Sequence, residues 1–215
     1  MKLTKLPLVA ALSLLVLSSN AWAQSTKRLI DEVNPFIGTS NFGTTNPGAV
    51  VPNGLMSITP FNVSGSPELN KFDKDKRWWS TPYTADNKFF SGFSHVNLSG
   101  VGCPELGSII VSASAGDLDV DYTHYGSAMS EEMAHPGYYS VQLDKHKIKA
   151  EVTATQRTAV SAFTFERGGK SNILVNLGLG LTNESGATVR FLNDSTIVGS
   201  KLMGTFCYAP QAVFN

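Results

Sequence analysis

The sequence predicts an all-β fold, an antiparallel β-sandwich, from three observations. Apolar and polar residues alternate with a period of two over residues 138–166, which is the pattern of half-buried strands. Glycine and proline are frequent, with 19 and 10 residues in a chain of 215, and they punctuate the chain as turns do. No long segment after the N-terminal apolar run keeps the 3.6-residue apolar period of an amphipathic helix. These features together favour hairpin-connected strands packed face to face.

The clearest strands occupy the middle of the chain. Tyr139, Val141 and Leu143 alternate with polar neighbours, and the polar run at residues 144–147 then turns the chain. Two further alternating segments and one short apolar run follow. The strands expected in this region are residues 138–143, 148–154, 159–166 and 173–177.

The region before residue 116 is irregular. Two short strands are expected, at Leu55–Pro60 and Ser108–Ala113, separated by long polar and glycine-rich loops. Loops of this length in a compact domain are usually functional or disordered, and residues 66–88 have the most linker-like composition. The segment 206–208 predicts a last strand close to the C-terminus. Because a sandwich should not end on an unpaired apolar edge, we expect a domain truncated at its C-terminus, as a piece of a longer protein.

Residues 1–23 have the three parts of a secretory signal peptide. Lys2 and Lys5 give a positive start, a nearly continuous apolar run extends over residues 6–17, and Ala21-Trp22-Ala23 matches the small-x-small cleavage pattern. The apolar run is shorter than the roughly 20 residues that span a bilayer. We therefore expect cleavage before Gln24, a mature domain over residues 24–215 without a membrane span, and a periplasmic or secreted protein.

The mature chain is close to neutral. Once Lys2 and Lys5 are removed, it carries two more acidic than basic residues. Nucleic-acid binding needs a basic surface, so we expect no such partner and a neutral or weakly charged ligand.

Cys103 and Cys207 are the only cysteines. Export permits a disulfide between them, but two separate buried thiols are the simpler interpretation.

No common catalytic motif is complete. The sequence lacks His-Glu-x-x-His and Cys-x-x-Cys, and the segment 92–96 lacks the second glycine of a nucleophile elbow. Asp117, Asp119 and Asp121 depart from a calcium loop, because Tyr122 stands where that loop needs glycine. We interpret the three aspartates as one solvated face of a strand.

The remaining acidic candidates are also weak. Glu131 and Glu132 are adjacent, so their side chains are expected to point apart, most simply as exposed groups. Glu105 is the one carboxylate near the glycine-rich segment, and it has no obvious partner there. An acid–base pair for glycoside cleavage needs two carboxyl groups placed across the scissile bond. We therefore predict no catalytic residue and no metal ligand in this chain.

The segment Gly92–Cys103 has the composition of a ligand-binding loop. It places short polar side chains between glycines, beside an aromatic ring. Such polar groups on a tight backbone suit hydrogen bonds to hydroxyl groups, and an aromatic ring suits the apolar face of a sugar. The alternative is that His95 is a core histidine with satisfied hydrogen bonds and that the glycines only form turns. The candidate substrate-binding residues are Phe93, Ser94, His95, Asn97, Ser99, Gly100, Gly102 and Cys103.

Four blocks of the sequence, in order, resemble the N-terminal part of glycoside hydrolase family 92, the calcium-dependent exo-α-mannosidases. Two lie in the proline- and glycine-rich region, the third is the segment Gly92–Cys103, and the fourth lies in the alternating strands. The likeness covers roughly residues 32–207. The blocks are Val33-Asn34-Pro35-Phe36-Ile37-Gly38-Thr39, Pro47-Gly48-Ala49 through Pro52-Asn53-Gly54, Gly92-Phe93-Ser94-His95 through Gly102-Cys103, and Pro136 to Val141 with Ile148 to Thr155.

The resemblance implies a β-sandwich of the supersandwich, galactose-mutarotase-like kind. It also implies a partner absent from this chain, a C-terminal (α/α)₆ domain of the same polypeptide. In the family that domain carries the acid and base of an inverting mechanism, calcium acts on the mannose ring, and loops of the first domain help to form the terminal mannose pocket. The implied ligand is a mannose-containing glycan, an α-mannoside of N-glycans or mannan. We expect this chain to be inactive alone and to bind no calcium by itself.

The sequence departs from the family motif at three positions, which bear on linkage preference. Asn97 stands where a second histidine is common, Val101 where threonine is common, and Asn46 where an aromatic residue is common. The alternative interpretation of the chain is a free-standing exported carbohydrate-binding module without hydrolysis.

Overall fold

The computed structural model describes residues 28–41, 43–66, 71–74, 79–121, 124–181, 184–203 and 211–214. This part of the chain divides into two compact units between Glu32 and Val33. The described part of the first unit contains the 3₁₀ turn Leu29–Glu32, where the Arg28 guanidinium lies 2.8 Å from the Asp31 carboxylate. The predicted signal peptide lies outside the described residues. No helix within the ranges given above is long and apolar enough to cross a membrane.

The second unit is built from antiparallel strands, which confirms the predicted fold class. The strands are β1 (Ala49–Val50), β2 (Ser57–Phe61), β3 (Ser64–Ser66), β4 (Lys71–Lys74), β5 (Phe89–Phe90), β6 (Gly92–Asn97), β7 (Leu106–Ala115), β8 (Ser127–His135), β9 (Tyr138–Leu143), β10 (Ile148–Ala154), β11 (Ala159–Phe165), β12 (Ser171–Asn176), β13 (Glu184–Asn193), β14 (Thr196–Met203) and β15 (Gln211–Phe214).

Two five-stranded sheets form the sandwich. The first sheet has the order β1-β2-β6-β7-β12 and the second has the order β11-β10-β9-β8-β5. The hairpins β9–β10 and β10–β11 connect neighbours in the second sheet, as the alternating sequence predicts, and β8 pairs with β9 in a further hairpin. Strands β3–β4 form a separate pair, and β13–β14–β15 form a third sheet.

The core lies between the two five-stranded sheets. Ile58, Phe93 and Ala113 face inward from the first sheet and pack with Tyr139 and Val152 of the second. In β10 every second residue is buried, because successive strand side chains point to opposite faces. In β9 the alternate residues Tyr139, Val141 and Leu143 are buried, and Ser140 on the other face is buried as well. This arrangement explains why the period-two pattern predicted these strands correctly.

The segment 79–88, part of the expected linker, is packed against the domain instead. Trp79 belongs to a second apolar cluster with Phe61 and Ile110, on the other side of the first sheet, and Tyr83 is fully buried. The Asn62 side chain accepts a hydrogen bond from Thr84 N at 2.8 Å and donates one to Thr84 O at 2.8 Å. The linker interpretation is therefore wrong for this segment, where isolated apolar side chains are buried without any sequence period.

Strands β5, β6 and β8 were not expected from the sequence. Strand β8 contains a bulge, where Glu131 has a positive φ of 50° and the register shifts between Ser130 and Met133. A bulge places two residues opposite one and interrupts the alternation of side chains, so the period-two signal is lost there. The predicted strand at residues 206–208 lies outside the described residues.

Candidate functional site

Half of the predicted loop Gly92–Cys103 is a strand, so the loop prediction is wrong for residues 92–97. Strand β6 lies inside the first sheet, between β2 and β7. Gly92 has a φ of 149°, and a Cβ atom there would stand 2.3 Å from the Ile110 side chain. Glycine is therefore required at the start of the strand. We call Gly92–Asn97 the strand half and Leu98–Gly102 the open half of the segment.

Phe93 packs inside the sandwich. Its side chain is 0% exposed, and its ring contacts the rings of Phe90, Tyr139 and Phe163 at centroid distances of 4.9, 6.1 and 6.3 Å. The edge-to-face geometry with Phe90 and Tyr139 is a favourable arrangement for aromatic pairs. The ring offers no exposed face for a sugar, and its contacts are those of a core residue.

Ser94 and Asn97 form a closed hydrogen-bond network with Ser57 of β2. The Ser94 hydroxyl donates to Asn97 Oδ1 at 2.8 Å, while Asn97 Nδ2 donates to the carbonyls of Ser57 and Ser94, each at 3.0 Å. The Asn97 backbone N–H donates to Ser57 Oγ at 2.8 Å. Because the polar atoms of the Asn97 side chain are already paired, this residue fixes the end of β6.

His95 lies between two strained backbone positions. Val96 has a φ of 57° and Ile109 a φ of 53°, a conformation that β-branched residues rarely adopt. His95 Nδ1 and the carbonyl oxygen of Ile109 are 2.7 Å apart, so the ring is fixed to the strained strand. Strain of this kind costs about 1–3 kcal/mol per residue and concentrates at functional sites.

Burial favours the neutral form of the His95 ring. Desolvation lowers the pKa of His95, and the carbonyl groups of Ile109 and Phe93 act in the opposite direction. The imidazole is therefore a neutral hydrogen-bonding group near pH 7, with Nδ1 as the donor to Ile109. The ring is partly buried, more deeply than the open half that follows it.

The open half is exposed and rests on a neighbouring loop. Leu98, Ser99, Gly100 and Gly102 are all exposed. Gly100 N donates to the Thr44 carbonyl at 2.7 Å, and Asn46 Nδ2 donates to the Leu98 carbonyl at 3.2 Å. These two bonds join the third sequence block to the loop between the first and second blocks.

The loop that supports the open half is itself closely packed. Gly43 N donates to Ser40 O at 2.8 Å, and Thr45 Oγ1 donates to Ile37 O at 2.7 Å. A Cβ atom at Gly43 would lie 1.9 Å from the Gly38 carbonyl oxygen, so only glycine fits. The sequence did not reveal Thr44 and Asn46 as the residues that hold the candidate site. Neither residue type signals a long-range backbone contact.

Cys103 ends the segment in a disulfide bond. The interpretation as two separate thiols is therefore wrong for Cys103, and the other cysteine, Cys207, lies outside the described residues. The nearby Glu105 is buried and interacts with other residues. The sequence showed no obvious partner for Glu105, and it therefore did not predict that this residue is buried and interacts with others.

The acidic candidates fall outside the segment. Strand β7 ends at Ala115, so Asp117, Asp119 and Asp121 follow the strand as an exposed loop and do not line one of its faces. His124 Nδ1 lies 3.4 Å from Asp119 and 3.7 Å from Asp121. Nowhere in the described ranges do three His, Cys, Asp or Glu side chains form a group that could hold a metal ion.

Glu131 and Glu132 do point apart, but only Glu131 is exposed. The bulge turns Glu132 inward, where it accepts hydrogen bonds from Tyr83 Oη at 2.6 Å and Lys88 Nζ at 2.7 Å. Burial, followed by the Glu132 charge, raises the pKa of Tyr83 far above its ordinary value. The expectation of two exposed carboxylates is wrong for Glu132, which binds the segment 79–88 to the second sheet.

Residues 32–215 match the profile of the glycosyl hydrolase family 92 N-terminal domain. The chain belongs to glycoside hydrolase family 92. The family 92 α-mannosidase BT3965 from Bacteroides thetaiotaomicron superimposes with a TM-score of 0.72 and 31% identity over 82% of this chain. The same enzyme in complex with mannoimidazole gives the same values. The family 92 glycosyl hydrolase ccman5 gives a TM-score of 0.65 and 26% identity over 86% of this chain.

A fungal relative extends the comparison. An uncharacterized secreted glycosidase from Arthroderma benhamiae is 29% identical over 178 residues, which is 76% of this chain. The chain spans 24% of the length of BT3965, 25% of ccman5 and 21% of the fungal protein. The resemblance seen in the sequence is thus confirmed for the family and for its N-terminal domain.

Proposed function

We propose that this chain is the carbohydrate-contacting N-terminal domain of an exo-α-mannosidase. In this proposal the open half, Leu98–Gly102, helps to form the pocket for the terminal mannose of N-glycans or mannan. The observation that carries the proposal is the junction of the exposed open half with Thr44 and Asn46, two uncharged and partly buried residues of the loop between the first two sequence blocks. The mannoimidazole complex of BT3965 supports mannose as the sugar, because it is a complex of a related enzyme.

The chemistry of the open half suits a neutral ligand. No charged side chain occurs between Gly92 and Cys103. Exposed backbone groups at Ser99, Gly100 and Gly102, together with the Ser99 hydroxyl, are able to exchange hydrogen bonds with sugar hydroxyls. In this proposal the contacts are these residues and His95, since Phe93 is in the core and the polar side-chain atoms of Ser94 and Asn97 are paired.

Hydrolysis by this chain alone is not part of the proposal. Inverting cleavage requires two carboxyl groups about 6.5–9.5 Å apart across the scissile bond, and neither Glu105 nor Glu132 is an exposed group with such a partner. The carboxylates and imidazoles of the described residues also do not fit a calcium site. We assign both the acid–base catalysis and the calcium binding to the (α/α)₆ domain that the family implies. Export follows from the signal-peptide pattern, and the secreted fungal relative supports it.

The proposal is tested by steady-state kinetics of a longer polypeptide that contains this chain and has the full length of the family 92 relatives. Replacing His95 by alanine there should lower kcat/KM on an aryl α-mannoside roughly ten- to a hundredfold, since losing one hydrogen bond in the site costs about 1–3 kcal/mol. His124→Ala is the matched control, because this histidine is exposed in the loop after β7. Equal kcat/KM values for parent and His95→Ala would show that His95 is only structural.

The mature chain, residues 24–215, provides the second arm. It should release no product from the aryl α-mannoside, with or without calcium. Turnover that survives purification and disappears in Glu105→Gln would refute the proposal. Mannose binding without hydrolysis in both the chain and the extended polypeptide would favour the alternative, an exported carbohydrate-binding module.

A further inference from the structure

The bulge in β8 turns one carboxylate into the protein, where it holds the segment 79–88. Bulges can re-aim a side chain, and the Glu132 side chain is only 8% exposed. It accepts a hydrogen bond from the hydroxyl of Tyr83, a fully buried residue, at 2.6 Å. Asn62 binds the next residue, Thr84, from the side of the first sheet. Tyr83 is therefore the point at which this segment is tied to the second sheet.

The segment 79–88 in turn contacts the loop that carries the open half. We call residues 36–41 and 43–46 the supporting loop. The Ala85 backbone N–H donates to the Thr39 carbonyl at 2.8 Å. The ring of Tyr83 lies against the ring of Phe36, with a centroid distance of 6.5 Å. The residue held by Glu132 thus also packs directly on the supporting loop.

An exposed side chain makes a further contact between the same two elements. Asp86 Oδ2 accepts a hydrogen bond from the Asn41 backbone N–H at 3.2 Å. Within the supporting loop, Thr45 binds the carbonyls of Ile37 and Gly38 through its side chain and its backbone N–H. Because the loop is bonded to itself in this way, a shift at one end is passed to the other.

The open half takes its position from the supporting loop. A Cβ atom at Gly100 or Gly102 would meet no atom of the described residues within 4 Å, so the backbone there is not fixed by close packing. It is held by the bonds from Gly100 N to the Thr44 carbonyl and from Asn46 Nδ2 to the Leu98 carbonyl. The contacts therefore run without a break from Glu132 to the open half.

We propose that Tyr83, held by Glu132, is a positioning residue for the open half. Tyr83 fixes the segment 79–88, this segment fixes the supporting loop, and the loop sets where Leu98–Gly102 presents its polar groups to a sugar. Packed side chains and hydrogen bonds of this kind carry energetic coupling between distant positions. The inference rests on the proposed function, and it adds a residue that affects sugar binding without touching the sugar.

The chain contains a matched control for the Tyr83 hydroxyl. Glu132 also binds Lys88, so that Tyr83 belongs to a group of one lysine, one glutamate and one tyrosine. A second such group joins β9 to β10, where Glu151 accepts hydrogen bonds from Tyr138 Oη at 2.5 Å and from Lys149 Nζ at 3.0 Å. Tyr138 precedes a core residue of β9, so its side chain lies on the face turned away from the core.

The test compares Tyr83→Phe with Tyr138→Phe in the longer polypeptide of full family length. Each variant loses one hydroxyl and keeps the ring. In Tyr83→Phe, hydrogen–deuterium exchange read by mass spectrometry should be roughly tenfold faster at the amides of Ala85 and Gly100, because a hydrogen bond to a charged group is lost. The KM for an aryl α-mannoside should rise roughly three- to tenfold with little change in kcat, since binding must then order the open half. Tyr138→Phe should change neither quantity.

Asp86→Ala is a second variant that does not endanger the fold, because Asp86 is exposed. It removes the acceptor of the Asn41 amide. Exchange at Gly100 and the KM should increase as in Tyr83→Phe, but to a smaller extent. Exchange in β10 equal to the parent's shows that each variant is folded.

Four results would count against the inference, and they separate it from the proposed function. Unchanged exchange at Gly100 in Tyr83→Phe overturns it, and so do equal changes in Tyr138→Phe, which would indicate a general loss of stability. Faster exchange with an unchanged KM, where His95→Ala still lowers kcat/KM, overturns the inference and leaves the proposed function intact. If His95→Ala also leaves the kinetics unchanged, the proposed function fails and the inference fails with it.

Discussion

The strand half and the open half of the segment Gly92–Cys103 have the same kind of sequence but different environments. The strand half is held within the first sheet, with Phe93 in the core and Asn97 in a closed hydrogen-bond network. The open half is exposed and touches the rest of the domain through backbone atoms. The difference shows that a glycine- and serine-rich motif can combine a structural frame with a surface for a ligand.

The largest expected effect is on the strand half. Phe93→Ala should lower the free energy of unfolding by about 3–5 kcal/mol, because it leaves a cavity among Phe90, Tyr139 and Phe163. Leu98→Ala in the open half, by comparison, should change it by less than about 0.5 kcal/mol. Urea unfolding of both variants measures the contrast. Equal losses would mean that the two halves do not differ as described.

A smaller loss is expected when the network at the end of β6 is broken. Asn97→Ala should cost about 1–3 kcal/mol, because the carbonyls of Ser57 and Ser94 lose a partly buried donor. Asn46→Ala removes one exposed hydrogen bond to Leu98 and should cost less. The comparison uses the same substitution at both sites and is read from thermal unfolding. A greater loss of stability in Asn46→Ala than in Asn97→Ala would contradict the account, because it would mean that Asn97 is not the residue that fixes this segment.

The third prediction concerns pH. The pKa of His95 is lowered in the folded state and is near 6.5 in the unfolded chain. The unfolded chain therefore binds more protons below about pH 6.5, and the free energy of unfolding falls as pH drops from there to the folded-state pKa.

His146 should add a slope of the same sign, since burial also lowers its pKa. The variant His95→Gln keeps the pH dependence contributed by His146 and should lose only the part contributed by His95. Urea midpoints between about pH 5 and 8 measure both slopes. Identical slopes in parent and variant would contradict the buried, neutral state of His95.

The smallest effect on stability is expected in the open half. Ser99→Ala should alter the free energy of unfolding by no more than about 0.5 kcal/mol, since the side chain is exposed. The same variant should weaken mannose binding severalfold, because the hydroxyl is a candidate sugar contact. Calorimetry on parent and variant separates the two effects. A variant with normal sugar affinity would exclude the Ser99 hydroxyl from the site.

The sequence predicted the second sheet best, for a physical reason. Strands β9 to β11 are joined by short turns and bury one face, so their alternation is local and visible. Strand β6 lies between two neighbours and shows no such alternation, since Gly92, Phe93 and Ser94 are all buried. One of its pairing partners, β2, comes from a distant part of the chain, and local patterns do not report that pairing.

The candidate site was predicted in part. Residue types singled out the segment, and the family resemblance is now confirmed. Residue types did not show that Phe93 is a core residue and Ser99 an exposed candidate contact, because this difference depends on where β6 ends. That end is set by the bond between Asn97 and Ser57, forty positions apart in the chain. Long-range contacts of this kind need the folded structure.

The most direct test of the account is a map of where the sugar binds. We would follow the backbone amides of the ¹⁵N-labelled chain by NMR during titration with methyl α-mannoside to about 10 mM, since weak sites have Kd values near 1 mM. Methyl α-glucoside serves as the control sugar. The account predicts saturable shifts at Ser99, Gly100 and Gly102 and little change at Phe93 and Ser94. Saturable shifts elsewhere in the domain, with none in the open half, would contradict it.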